Sequence, residues 1–122
     1  MDDSGYDLVV EANSIIRHIQ LKSSFKGSTT RYVDINIQLA SKPSGCVIWL
    51  NFDPNTLQLG PFYWFGGLPE EPLPDIMSLQ VAKHTKANAE GKKSDRPNLR
   101  RIGRSKFMRI DSMDDLVEQL FG

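Results

Sequence analysis

Cysteine is nearly absent, histidine is scarce, and long apolar runs are missing altogether. The single cysteine, Cys46, excludes an intramolecular disulfide, and with no Cys or His near it at metal-ligand spacing it gives no thiolate zinc site. The longest apolar stretches, around residues 46–50 and 60–67, fall far short of the roughly 20 residues a membrane helix requires. The opening Met1-Asp2-Asp3-Ser4-Gly5 has neither a basic nor an apolar leader segment, so nothing marks secretion and a reducing cytoplasm is the expected compartment. There is no Gly-rich phosphate loop, no Ser-His-Asp order and no internal repeat. What is present is an ordinary globular composition, 39% hydrophobic and 25% charged over 122 residues, which suits a single domain spanning 1–122 with one modest core.

Net charge is zero, but its distribution is lopsided. Residues 81–110 hold ten Lys/Arg against only Glu90 and Asp95, a local charge of +8 that the rest of the chain cancels. Such a segment points to an anionic partner, with Lys83, His84, Lys86, Lys92, Lys93, Arg96, Arg100, Arg101 and Arg104 as candidate contacts to nucleic acid. A solvated basic loop is the plainer alternative.

Local patterns predict a mixed α/β chain. Residues 6–10 are short and β-branched, and residues 14–24 alternate with Ile15, Ile19 and Leu21 on one face and Ile16, His18, Gln20 and Lys22 on the other. The short turn between them makes an antiparallel hairpin, spanning 5–24. Residues 32–42 fit both strand and helical spacing, and the breakers Pro43-Ser44-Gly45 favour a short helix ending before them. Cys46 to Phe52 is apolar on both faces, as a central strand should be, and with residues 56–65 it makes a second hairpin over 46–66. Residues 75–84 suit a short helix with Ile76 and Leu79 inward. Residues 86–104, polar and punctuated by Gly91, Pro97 and Gly103, suit an extended or mobile basic loop within 83–104. Residues 105–110 suit a short strand. Ser112, with Asp115 three residues on, caps a final helix over 112–121 whose stripe is Met113, Leu116, Val117 and Leu120. The expected fold is a central mixed sheet of about five strands with a few flanking helices.

One constellation carries chemistry. Gly5-Tyr6-Asp7 is followed thirteen residues later by Gln20-Leu21-Lys22. A turn centred on Ala12-Asn13 sets Asp7 opposite His18 and diagonal to Gln20, about 7–8 Å apart at Cα. Asp7 and Gln20 then offer hard oxygen ligands of the kind Mg²⁺ takes while keeping several waters, and Lys22 adds a cation on the same patch. A cation and a lysine together can neutralise the charge that develops when water attacks a phosphodiester. A strand-end cap at Asp7 with an exposed polar face at Gln20 and Lys22 is the alternative. His18 lies on the same side; Phe62, Tyr63, Trp64 and Phe65 are candidates for stacking nucleic-acid bases.

The pattern Gly-x-Asp on one strand and (Glu/Gln)-x-Lys on the next resembles the PD-(D/E)XK nuclease superfamily, which includes restriction endonucleases and Holliday-junction resolvases. The likeness covers residues 5–24, including the run Ile-Gln-Leu-Lys-Ser-Ser. It implies a restriction-endonuclease-like core in which Asp7 and Gln20 bind Mg²⁺ or Mn²⁺, Lys22 assists the water, and the substrate is DNA. The chain departs from that pattern twice. Gln20 stands where glutamate is commoner, and the six residues before Asp7 leave no room for the helix that usually supplies a further acid, for which Asp2, Asp3 or Glu11 would have to substitute. The resemblance therefore implies either a DNA hydrolase or an inactive DNA-binding or protein-interaction module on the same fold. Its uncovered sheet edges favour a homodimer.

Overall fold

Alternation along a strand sends successive side chains to opposite faces, and it shapes the first hairpin. The computed structural model describes residues 5–87, 91 and 93–122 (for 84–87, 93 and 94, the backbone alone). Leu8–Ala12 (β1) and Ile15–Phe25 (β2) form an antiparallel hairpin in which Ala12 faces Ile15. The linking residues Asn13 and Ser14 have φ of 52° and 62°, the left-handed pair that lets a two-residue turn match strand twist. The turn is therefore Asn13-Ser14 rather than Ala12-Asn13, and Val9, not Asp7, faces His18.

Residues 32–42 use both of their competing periodicities in succession. Tyr32–Asn36 (β3) is a strand, and Ile37–Ser41 is a 3-10 turn capped by Asn36, whose Oδ1 accepts the Gln38 N–H at 2.8 Å. The short helix expected there is confined to that turn. This detour allows Gly45–Phe52 (β4) to return parallel to β2. Leu59–Gly66 (β5) then runs antiparallel to β4, completing the second hairpin.

Two expectations fail downstream. Residues 75–84 are not a helix: Asp75 Oδ1 accepts the Met77 N–H, Leu79 N–H bonds Ile76 O, and Gln80–Ala87 (β6) follows as a strand. Ile76 and Leu79 do turn inward, but one turn satisfies their spacing. Nor is the basic segment a loop, because Lys93–Gly103 (β7) pairs with β6 on one side and β3 on the other. Its breakers are absorbed at special positions. Pro97 sits where the register jumps between Val81↔Arg100 and Ala82↔Arg96, a bulge in which a missing N–H costs nothing. Gly103 ends the strand. A 3-10 turn at Arg104–Lys106 leads to Met108–Ile110 (β8) and then to Met113–Phe121 (α1). Ser112 caps α1 as expected, its Oγ accepting the Asp115 N–H at 3.1 Å.

The result is a five-stranded mixed sheet in the order β1-β2-β4-β5-β8, with a three-stranded sheet, β3-β7-β6, on one side and α1 on the other. This is the mixed α/β architecture the sequence predicts, with one α-helix among the described residues. Central β4 feeds both cores: Val47 and Trp49 join Ile35, Leu39, Ile76 and Ile102 beneath the small sheet, while Cys46 and Ile48 meet Leu116 and Leu120 of α1. The helix stripe is narrower than its spacing suggests, since Met113 and Val117 stay exposed. Burial pushes the Cys46 thiol up to about 12, so it packs as a small apolar group. No helix among the described residues is long and apolar enough to cross a membrane.

Candidate functional site

Gly5, Asp7, Gln20 and Lys22 meet at the open end of the first hairpin. Gly5 is buried with φ of +86°, and a Cβ there would lie 2.5 Å from the Leu39 backbone nitrogen. Only glycine tolerates both the conformation and the approach, so the 3-10 turn fixes the chain just ahead of Asp7. Asp7 then straddles Gln20: its N–H donates to Ile19 O at 2.7 Å and its Oδ2 accepts the Leu21 N–H at 2.7 Å. The turn being one residue later than expected thus brings the aspartate alongside the glutamine. The carboxylate also caps the end of the ladder, as the plainer reading of the sequence has it, while Oδ1 has no protein donor among the described residues.

Gln20 is 5% exposed, and its Oε1 is buried without a hydrogen-bond partner. A buried amide oxygen left unpaired costs about 1–3 kcal/mol, so such atoms are uncommon in folded proteins and call for a reason. Lys22, two residues on and half-buried, makes no hydrogen bond or ion pair among the described residues. Burial holds its ammonium below the ordinary lysine range; Asp7 and Asp34 pull the other way, and Arg96 adds to the lowering. Asp34 is an addition that sequence reasoning missed. It is the partner of Arg101 at 3.1 Å, and its β3 position opposite Arg101 became legible only once β3 and β7 paired.

His18 does not join this patch. Its Nδ1–H donates to Pro43 O at 2.8 Å and its ring meets Tyr6 edge-on at 5.0 Å. The aromatic run offers no stacking platform either. Phe62, Trp64 and Phe65 are buried, and Tyr63 is covered by Arg104, whose guanidinium lies 4.7 Å from its ring centroid and 4.4 Å from that of Trp49.

The basic candidates separate by what already holds them. Lys92 lies outside the described residues, as do the side chains of His84, Lys86 and Lys93. Lys83 is exposed and Arg96 half-exposed. Arg100 curls onto its own strand, donating to Pro97 O at 2.7 Å and Leu99 O at 3.1 Å. Arg101 is neutralised by Asp34, which raises its pKa, and stacks 3.9 Å from the Tyr32 ring. Arg104 has no carboxylate within ion-pair distance among the described residues.

The patch suits a hydrated hard cation better than a metal caged by protein. Among the described residues, two oxygens, Asp7 Oδ1 and Gln20 Oε1, are without protein donors, and there is no cluster of three or more His, Cys, Asp or Glu. Mg²⁺ is commonly held by one or two protein oxygens, with waters and substrate phosphate completing the shell. No family model, no curated protein and no solved structure matches this chain.

Proposed function

We propose that this protein binds DNA and hydrolyses its phosphodiester bonds with Mg²⁺ or Mn²⁺ at Asp7, Gln20 and Lys22. The observation that carries the reading is the buried, unpartnered Gln20 Oε1 beside Asp7 and a half-buried lysine without a counter-ion contact among the described residues. Asp7 and Gln20 would hold the cation, which when bound acidifies water and neutralises charge on a phosphoryl group. Lys22 contributes positive charge beside the reacting phosphate, and its lowered pKa eases proton exchange with the attacking water. Lys83 and Arg96 on the small sheet, with Arg104 just beyond it, supply the sequence-independent attraction for the DNA backbone. The likeness of residues 5–24 to the PD-(D/E)XK pattern points the same way.

One observation favours a second reading, a DNA-binding module without hydrolysis. Asp7 spends one oxygen capping the Leu21 N–H, and the described residues contain no group of three or more His, Cys, Asp or Glu that could hold a metal ion. The open edge of β1 is a docking edge for a second copy, and a lone buried thiol suits a reducing compartment. Light scattering that finds a monomer would remove the dimer.

Supercoiled plasmid incubated with the protein and Mg²⁺ or Mn²⁺ separates these readings. Nicking or linearisation that disappears in Asp7→Ala and Lys22→Ala is expected of the hydrolase. DNA binding with no cleavage would leave the binding module. With neither cleavage nor binding, both readings fall.

A further inference from the structure

We infer that Arg104, clamped over Trp49 and Tyr63, is a preformed phosphate-binding site next to Lys22, and that the substrate is held by its backbone rather than by its bases. This rests on the proposed DNA-binding function and assigns the group that positions the phosphate. Lys22 lies opposite Trp49 in the β2–β4 register, and Trp49 lies opposite Tyr63 in the β4–β5 register. Cross-strand neighbours share a face about 5 Å apart, so these three side chains form one row across the sheet. The Arg104 guanidinium covers the two rings of that row at 4.4 and 4.7 Å.

The platform beneath it is rigid. The indole Nε1–H of Trp49 donates to Ser24 Oγ at 2.8 Å, Phe107 packs edge-on against Trp49 at 5.4 Å, and Trp49 has no solvent exposure. The Arg104 backbone is held as well, its N–H donating to Arg31 O at 2.7 Å. Yet the guanidinium itself makes no hydrogen bond among the described residues, and its Nε is buried without a partner. A charged donor, fixed in orientation and without a partner among the described residues, fits an oxyanion that presents two oxygens to its planar fork, as a phosphate does.

Gln20 Oε1, Lys22 and Arg104, without hydrogen-bond partners among the described residues, thus lie on the side of the central sheet that faces the small sheet. Arg100 Nε is also buried without a partner, but its Nη1 is already taken by Pro97 O and Leu99 O. Arg101 does not share this role, because Asp34 already occupies its fork. The rings of this row are closed to base stacking, since Arg104 covers Trp49 and Tyr63 and the remaining rings of β5 are buried. What the row offers a polynucleotide is contact with phosphate.

The test measures binding without turnover. Affinity of a fluorescein-labelled duplex is followed by anisotropy against salt in EDTA, for the wild type, Arg104→Gln, Arg104→Lys and Arg101→Gln. Inorganic pyrophosphate is titrated alongside, read by tryptophan fluorescence. Arg104→Gln is expected to weaken duplex binding about tenfold or more and to lower the slope of log affinity against log salt by about 0.9, one phosphate's worth. Arg104→Lys should restore the slope but not the full affinity, and Arg101→Gln should change both less than Arg104→Gln. Unchanged affinity and slope in Arg104→Gln would overturn the assignment. If the duplex does not bind but pyrophosphate does, with its signal lost in Arg104→Gln, the anion site stands and the DNA reading fails. Binding of neither probe overturns the site itself.

Discussion

The central sheet carries a tryptophan on each face, and each tryptophan carries an arginine. On the helix side, Arg17 lies 5.1 Å from the ring centroid of Trp64; on the small-sheet side, Arg104 lies 4.4 Å from that of Trp49. The stacks look alike and are used differently. Arg17 has no solvent exposure, and its guanidinium is taken up by backbone carbonyls: Leu120 O at 2.8 Å, Gly67 O at 3.3 Å and Gln119 O at 3.5 Å. Two of those carbonyls close the carboxyl end of α1, where the helix dipole favours a cation. Arg104 has the same planar group over the same kind of ring and none of those acceptors. An arginine whose donors are satisfied fastens one element to another; Arg104, whose guanidinium has no hydrogen-bond partner among the described residues, is the one we assign to a ligand.

Substitutions on the two faces should therefore affect different measurements. The largest stability effect belongs to Arg17→Met, which strands three backbone carbonyls and loses the clasp on α1. It should lower stability by about 3–5 kcal/mol in denaturant titration, with DNA affinity unchanged wherever the variant remains folded. Ser112→Ala removes the cap at the other end of the same helix and should cost about 1 kcal/mol, again without touching binding. A loss of DNA affinity in folded Ser112→Ala would blur the division between the faces.

Lys22→Met should have the smallest effect on stability, and one of the opposite sign. Burial holds the folded-state pKa of Lys22 below its unfolded value near 10.5, so the unfolded chain binds more protons in that window and stability rises with pH through it. At neutral pH the burial cost is fully present, and removing the charge should leave Tm equal or slightly raised. The gap between variant and wild type should close as the pH approaches 10.5, while cleavage is lost throughout. A clear loss of stability in Lys22→Met at pH 7 would mean that the lysine is structural.

Much of this was legible in the sequence, for reasons that differ by element. The first hairpin followed from alternation through residues 18–22 and the polar turn before them, and β4 from an apolar run bounded by Gly45 and Asp53. The Ser112 cap was local chemistry. The small sheet was not legible, because β6 and β7 draw their stability from each other and from β3 rather than from their own composition. Gly91, Pro97 and Gly103 were misleading, since each sits at a hairpin turn, a bulge or a strand end that accommodates it. Within the candidate site, Asp7, Gln20 and Lys22 are picked out by their spacing and by the likeness of residues 5–24 to a nuclease pattern. Their proximity could not be fixed until the turn was seen to fall on Asn13-Ser14. The stacking of Arg104 on Trp49 and Tyr63 joins residues 41 or more positions apart and leaves no local signature.

The chain has two tryptophans, one on each face, and their indole N–H signals report the two faces separately in a ¹H–¹⁵N spectrum. The most direct measurement is titration of the labelled protein with a short DNA duplex in EDTA. The expected result is a shift of the Trp49 indole, the Arg104 Nε–H and the Gln20 side-chain amide, with the Trp64 indole and the Arg17 Nε–H unmoved. Shifts confined to Trp64 and Arg17, or none at all with DNA in excess, would contradict the assignment of the small-sheet face as the binding face.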